Sequence, residues 1–143
     1  MRAMADIEIR VAPELPFDDV LALYESVGWV AYTRDPERIR AALRGSSFVA
    51  AAYTAGRLVG LVRAMSDDTM INYVQDVLVH PDAQRSGIGA ALMGAVAQRY
   101  AHVRQHVLLT DDEPRQRAFY ESLGYAEIRD FGEGTLRAFV RFI

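Results

Sequence analysis

The chain has 143 residues, about half of them hydrophobic, a formal net charge of −3 and no cysteine. That length supports one domain, residues 1–143, with a core that needs no staples, and the missing cysteine excludes disulfides and thiol nucleophiles and fits a reducing compartment. The acidic balance argues against nucleic acid as a partner, and no apolar run is long enough to span a bilayer.

In chain order, Ile7–Val11 alternates apolar and polar residues and predicts a first strand. Asp6, Glu8 and Arg10 interrupt any apolar run there, so no secretory leader is read and a cytoplasmic location is expected. Leu15–Val27 carries a helical apolar stripe closed by Gly28. Asp35-Pro36-Glu37 supplies an N-cap and an N1 proline for a second helix, running to about Leu43 and stopping at Gly45. Ser47–Tyr53 and Arg57–Met65 read as a hairpin around Ala55-Gly56, and Met70–Val79 as a long strand. After a turn, Ile88, Ala91, Leu92, Ala95, Val96 and Arg99 keep helical spacing to about Tyr100. His106–Thr110 is a short strand, Pro114–Leu123 a helix ended by Gly124, and Tyr125–Arg129 and Leu136–Phe142 are two final strands. The order β-α-α-β-β-β-α-β-α-β-β is mixed α/β. Its one crossover, from Met70–Val79 to His106–Thr110, should be right-handed and join parallel strands, with a ligand loop at the end of the first.

That loop is the most informative stretch. Gln84-Arg85-Ser86-Gly87-Ile88-Gly89 lies between a strand and a helix, where unpaired N–H groups and the helix dipole suit a phosphate or pyrophosphate. Gly87 and Gly89 let a ligand reach the backbone. By itself the turn is equally an ordinary strand-to-helix connection. A dinucleotide-binding reading has Asp111 and Asp112 about 20 residues downstream, but its third glycine position is Leu92 and too little chain remains for a doubly wound sheet.

Gln84-x-x-Gly87-x-Gly89 resembles the acetyl-CoA pyrophosphate loop of the GNAT superfamily of N-acetyltransferases. A second segment, Phe119-Tyr120-Glu121-Ser122-Leu123-Gly124-Tyr125, looks like that family's Phe-Tyr-Glu-x-x-Gly-aromatic motif. The element order is similar from end to end. The resemblance implies a central, mostly antiparallel sheet with one splayed parallel strand pair. It also implies direct acetyl transfer from acetyl-CoA to a primary amine of a small molecule or peptide, with no metal. A non-catalytic acyl-CoA-binding or regulatory module is the alternative; retention of Tyr120 with the full glycine turn favours the enzyme.

On this resemblance, the turn Gln84, Arg85, Ser86, Gly87, Ile88, Gly89 and Ala90 cups the pyrophosphate, and the strand end Val77, Leu78 and Val79 offers backbone to the pantetheine. Val77 N–H is placed to polarise the thioester carbonyl. Tyr120 matches the family's general acid. With ordinary pKa values near 10 for tyrosine and 8.5 for the thiol, that proton transfer is uphill by roughly 2 kcal/mol, so Tyr120 either has a lowered pKa or stabilises the thiolate by hydrogen bonding. Family members often carry asparagine seven residues before the tyrosine; here it is Glu113, a carboxylate ill-suited to CoA phosphates, and Arg115 and Arg117 are expected to compensate.

For the acceptor, Asp76 interrupts an otherwise apolar strand and is a candidate base or amine attractor, or else a buried acid with a structural role. Strict alternation places Asp76 with Asn72, Val74 and Leu78, opposite Tyr73, Gln75 and Val77. Trp29 and Tyr32, beside Tyr24, are expected to form one pocket wall and Tyr73 and Gln75 another, or the aromatic trio is a local packing cluster. His80, His102 and His106 lack metal-ligand spacing. Asp111-Asp112-Glu113 reads as a solvated helix start. Paired final strands suit a homodimer.

Overall fold

The computed structural model describes residues 6–11, 14–132 and 134–143. The chain divides into two compact units, Met1–Leu109 and Thr110–Ile143.

The first unit holds β1 (Ile7–Val11), α1 (Phe17–Ser26), α2 (Val30–Thr33), α3 (Pro36–Gly45), β2 (Phe48–Thr54), β3 (Arg57–Ser66), β4 (Ile71–Val79), α4 (Ile88–Arg99) and β5 (Gln105–Leu108). The strands form one sheet in the order β1-β2-β3-β4-β5, antiparallel until β5, which runs parallel to β4. The mixed fold and its parallel pair are as expected from sequence. The short helix α2, after Trp29, is not among the elements that the sequence predicts.

β2 and β3 are buried along almost their whole length because helices cover both faces. Val20, Leu23 and Tyr24 of α1 and Ile39 of α3 pack with Ala51, Leu61 and Leu78 on one face. Gly60, the neighbour of Leu61 along β3, faces α4 on the other. A Cβ at Gly60 would lie 2.9 Å from Ile88 Cγ2 and 3.0 Å from Leu92 Cδ1. Glycine therefore lets α4 lie directly on the sheet, which fixes where the helix begins and so where the glycine turn stands.

The second unit contains α5 (Pro114–Ser122), matching its expected bounds closely, and its exit at Gly124 has φ +92°. The two final strands are not formed among the described residues. A single 3₁₀ turn spans Ile128–Asp130, and residues 136–143 have no regular structure. Charge explains the first departure. Arg117 Nη1 bonds Glu127 at 2.5 Å, its Nη2 bonds Asp130 at 2.6 Å, and Arg129 pairs with Glu127, so the segment curls around one guanidinium instead of extending.

Candidate active site

A bulge in β4 organises the acceptor side. Arg63 of β3 pairs with Asp76, but the next residue, Ala64, pairs with Val74, so Gln75 is the extra residue. Cross-strand partners share a face, and Arg63 and Met65 share one along β3. Asp76 and Tyr73 therefore stand on the same face, with Val74 and Asn72 on the other. This corrects the strict alternation expected from sequence. The run of buried and half-buried residues along β4 stays regular only because both faces are covered.

Asp76 is 1% exposed and accepts three hydrogen bonds: from Tyr24 Oη and Tyr32 Oη, each at 2.9 Å, and from Arg63 Nε at 2.5 Å. Tyr32 Oη in turn accepts from Gln75 Nε2 at 3.2 Å. The two consecutive residues of the bulge thus grip one phenol from opposite senses. Trp29, Tyr32, Tyr73 and Gln75 are half-buried around this carboxylate. The rings of Tyr24, Trp29 and Tyr32 pack with centroids 5.4–5.9 Å apart. Burial raises the Tyr32 pKa; the Gln75 hydrogen bond works against that rise, and the Asp76 charge adds to it. Burial, then the same charge, raises Tyr24 further still.

The structure therefore revises the expectation for Asp76. A carboxylate sealed from solvent, with both oxygens engaged and a guanidinium beside it, does not reach an incoming amine. Arg63 is the partner that sequence reading missed. An arginine within a β3 stretch that is buried on both sides was the available signal, since a buried cation needs a buried anion.

At the other end of β4, the parallel ladder to β5 covers only Ile71–Val74. Among the described residues, the main chain of 75–79 has no strand beside it on that edge. The turn that follows is pinned to the strand end, because Gln84 Nε2 donates to the Val79 carbonyl at 3.2 Å. Gln84 thus has a structural bond to make, whatever else it touches. Arg85 takes φ +63° and Gly87, the residue before α4, φ +87°. Ser86 Oγ donates to the Ala83 carbonyl. No side chain caps α4. Ala91 N–H reaches the Gly87 carbonyl at 3.0 Å, whereas the amides of Ile88, Gly89 and Ala90 have no main-chain acceptor among the described residues. The side chains of Leu78 and Ile88 are core, so only their backbone can meet a ligand.

In the second unit, Tyr120 is half-buried, its ring 4.9 Å from that of Phe119 and 6.1 Å from that of Tyr125. Burial, and then Tyr125, push its pKa up to about 12. Arg117, expected to meet the cofactor, instead binds Glu121, Glu127 and Asp130 at 2.5–2.6 Å. With three carboxylates on one guanidinium, it offers no net positive charge to a phosphate. Glu113 precedes α5 without a side-chain capping bond.

Residues 24–143 match the family model described as an acetyltransferase (GNAT) domain. The chain belongs to the GNAT acetyltransferase family. A GNAT-family acetyltransferase of Streptococcus pneumoniae superposes with a TM-score of 0.81 at 29% identity, covering 95% of this chain and 98% of that one. An uncharacterised N-acetyltransferase of Pyropia yezoensis is 30% identical over 133 residues, 90% of this chain and 75% of its own. A chloroplastic serotonin N-acetyltransferase of Oryza sativa is 35% identical over 113 residues, 76% of this chain and 56% of its own. Acetyl-CoA is the family's acyl donor, and among the described residues no helix is long and apolar enough to cross a membrane.

Proposed function

We propose that this GNAT member is an acetyl-CoA-dependent N-acetyltransferase that moves the acetyl group directly onto a primary amine of a small molecule or peptide. The observation that carries this reading is the uncapped start of α4. Three unpartnered amides and the dipole face outward there, next to a β4 edge that lacks a neighbouring strand.

The bound thioester supplies the activated acetyl group, and the chain supplies placement and polarity. Amides from Arg85 to Ala90 take the pyrophosphate, and the main chain of Val77, with the N–H of Val79, aligns the pantetheine. Val77 N–H polarises the carbonyl as it gains charge. Trp29, Tyr32, Tyr73 and Gln75 form the acceptor wall, and the amine proton leaves to water because Asp76 is sealed. The raised pKa of Tyr120 suits a hydrogen-bond donor: protonating a thiolate of ordinary pKa from a phenol near 12 is uphill by about 5 kcal/mol. Tyr120 thus stabilises the departing sulfur while keeping its proton. The aromatic wall, together with the name of the Oryza sativa relative, makes arylalkylamines the first acceptors to try.

The test is a panel of arylalkylamines, polyamines and short peptides, followed by thiol release and by mass spectrometry of the product. The chain has no lysine, so thiol release without added amine cannot come from acetylation of its own lysine side chains. One acetyl gained by an amine per thiol released supports the reading. Acetyl-CoA binding with no acetylated product from any amine points instead to an acyl-CoA-binding module.

A further inference from the structure

We propose that the chain carries a second small-molecule site, for a monocarboxylate with a short apolar body, at the Phe48 end of β2. The inference goes beyond the acetyl-transfer reading and does not rest on it.

The β1–β2 ladder ends at the Val11–Ala50 pair, so the first residues of β2 leave a notch at the sheet edge. Beside it lie Ser46, which follows the last turn of α3, and Arg99, the last residue of α4. The notch is a cavity of about 350 Å³, at the lower end of small-molecule sites. Leu43, Phe48 and Val49 make it apolar, and the charged group in its lining is Arg99. Phe48 pairs with Ala64, and Gly60 with Val79, so the cavity lies about 13 Å along β3 from the glycine-turn end of the sheet. Arg99 is about 17 Å along α4 from Ile88. The cavity is therefore separate from the acetyl-CoA turn.

Its donors select the ligand. Ser46 and Ser47 also line the cavity, but they give their protons to the Ala42 and Ser66 carbonyls, at 2.8 and 3.3 Å. That leaves the half-exposed Arg99 guanidinium. Its Nη1 donates to Asp68 Oδ1 at 2.8 Å, an oxygen that His102 Nε2 also approaches at 2.9 Å. Its Nε and Nη2 have no acceptor among the described residues. An apolar slot with one cationic, donor-only group at its rim is complementary to a carboxylate on a short hydrocarbon. An ammonium meets the wrong charge there, and an alcohol forgoes the charge-assisted bond.

Butyrate, hexanoate, hexanol and hexylammonium are titrated into the full chain and followed by backbone amide shifts in NMR. Hexanoate is expected to bind saturably, with shifts centred on residues 46–49 and Arg99. It should bind about 5-fold more tightly than hexanol, as for a well-placed surface ion pair, and hexylammonium should not bind. Each methylene from butyrate to hexanoate should add about 2- to 4-fold. Arg99→Met keeps the alkyl stem and should bind hexanoate and hexanol alike. Asp68→Asn suits the φ of +62° at that position and removes the competing charge, so it should tighten hexanoate about 2- to 5-fold and leave hexanol unchanged. No saturable hexanoate binding, equal binding of hexanoate and hexanol in the wild type, or affinity independent of chain length would each overturn the inference. So would an unchanged preference in Arg99→Met, hexanoate no tighter in Asp68→Asn, or shifts centred on the Arg85–Ala90 turn.

Discussion

Two arginines in this molecule hold carboxylates at 2.5–2.6 Å, and burial separates what each pair does. Arg63 and Asp76 are 8% and 1% exposed, inside the first unit. Arg117, with Glu121, Glu127 and Asp130, sits in water on the second. Similar distances carry different weights. In water, an ion pair competes with solvation and salt, and its main consequence here is the local shape of residues 127–130. Away from water, each member makes the other necessary, and their orientation is transmitted to Tyr32.

Asp76→Ala should give the largest effect. It leaves the Arg63 charge uncompensated and removes the acceptor of two phenols, for a loss of about 3–5 kcal/mol of unfolding free energy. Denaturant titration followed by Trp29 emission measures this. A loss no greater than that of a surface variant would erase the contrast between the two arginines.

If Arg117 is only a local clasp, the functional weight of the second unit falls on Tyr120. Tyr120→Phe should lower kcat about 10²- to 10⁴-fold with acetyl-CoA affinity unchanged. Because its pKa is near 12, Tyr120 should contribute no inflection to the pH–rate profile below pH 10. Full activity in the variant would return the sulfur's stabilisation to water or another group.

Burial has a pH signature as well. Tyr24, Tyr32, Tyr120 and Tyr125 all have pKa values raised by burial, while in the unfolded chain they ionise near 10. Above about pH 10 the unfolded state binds fewer protons than the folded one. Stability should therefore be level with respect to these groups below that pH and fall as pH climbs through about 12. Tyr24→Phe should lower stability at pH 8 and flatten the alkaline decline. A decline of the same slope would show that Tyr24 does not hold its proton in the folded state.

The smallest effect belongs to the exposed cluster around Arg117. Arg117→Met should leave the midpoint of denaturant unfolding and acetyl-CoA affinity within error of the wild type. A marked loss of affinity would restore the cofactor contact expected from sequence.

The glycine turn, the helix that follows it and the parallel crossover were legible because local chemistry decides them: Pro81 ends the strand, and Gly87 takes a positive φ. The aromatic residues around α1 and α2 were also legible as a group. The bulge was not, because it exists only in the pairing of β3 with β4, and no feature of Gln75 itself announces it. With the bulge hidden, Asp76 was assigned neighbours from the wrong face and Arg63 went unremarked. The segment 125–129 has strand-like composition, yet its charges find Arg117 first. Asp76 stands out in the sequence because a lone acid in an apolar strand is conspicuous, and both a reactive and a structural role were open; the three donors that settle it as structural come from α1, α2 and β3.

The central claim is that the start of α4 holds acetyl-CoA. Calorimetric titration of acetyl-CoA into the wild type and Gly89→Val, with circular dichroism to confirm the fold, tests it most directly. One molecule is expected to bind per wild-type chain, with no measurable binding to a folded Gly89→Val. Unchanged affinity in that variant would contradict it.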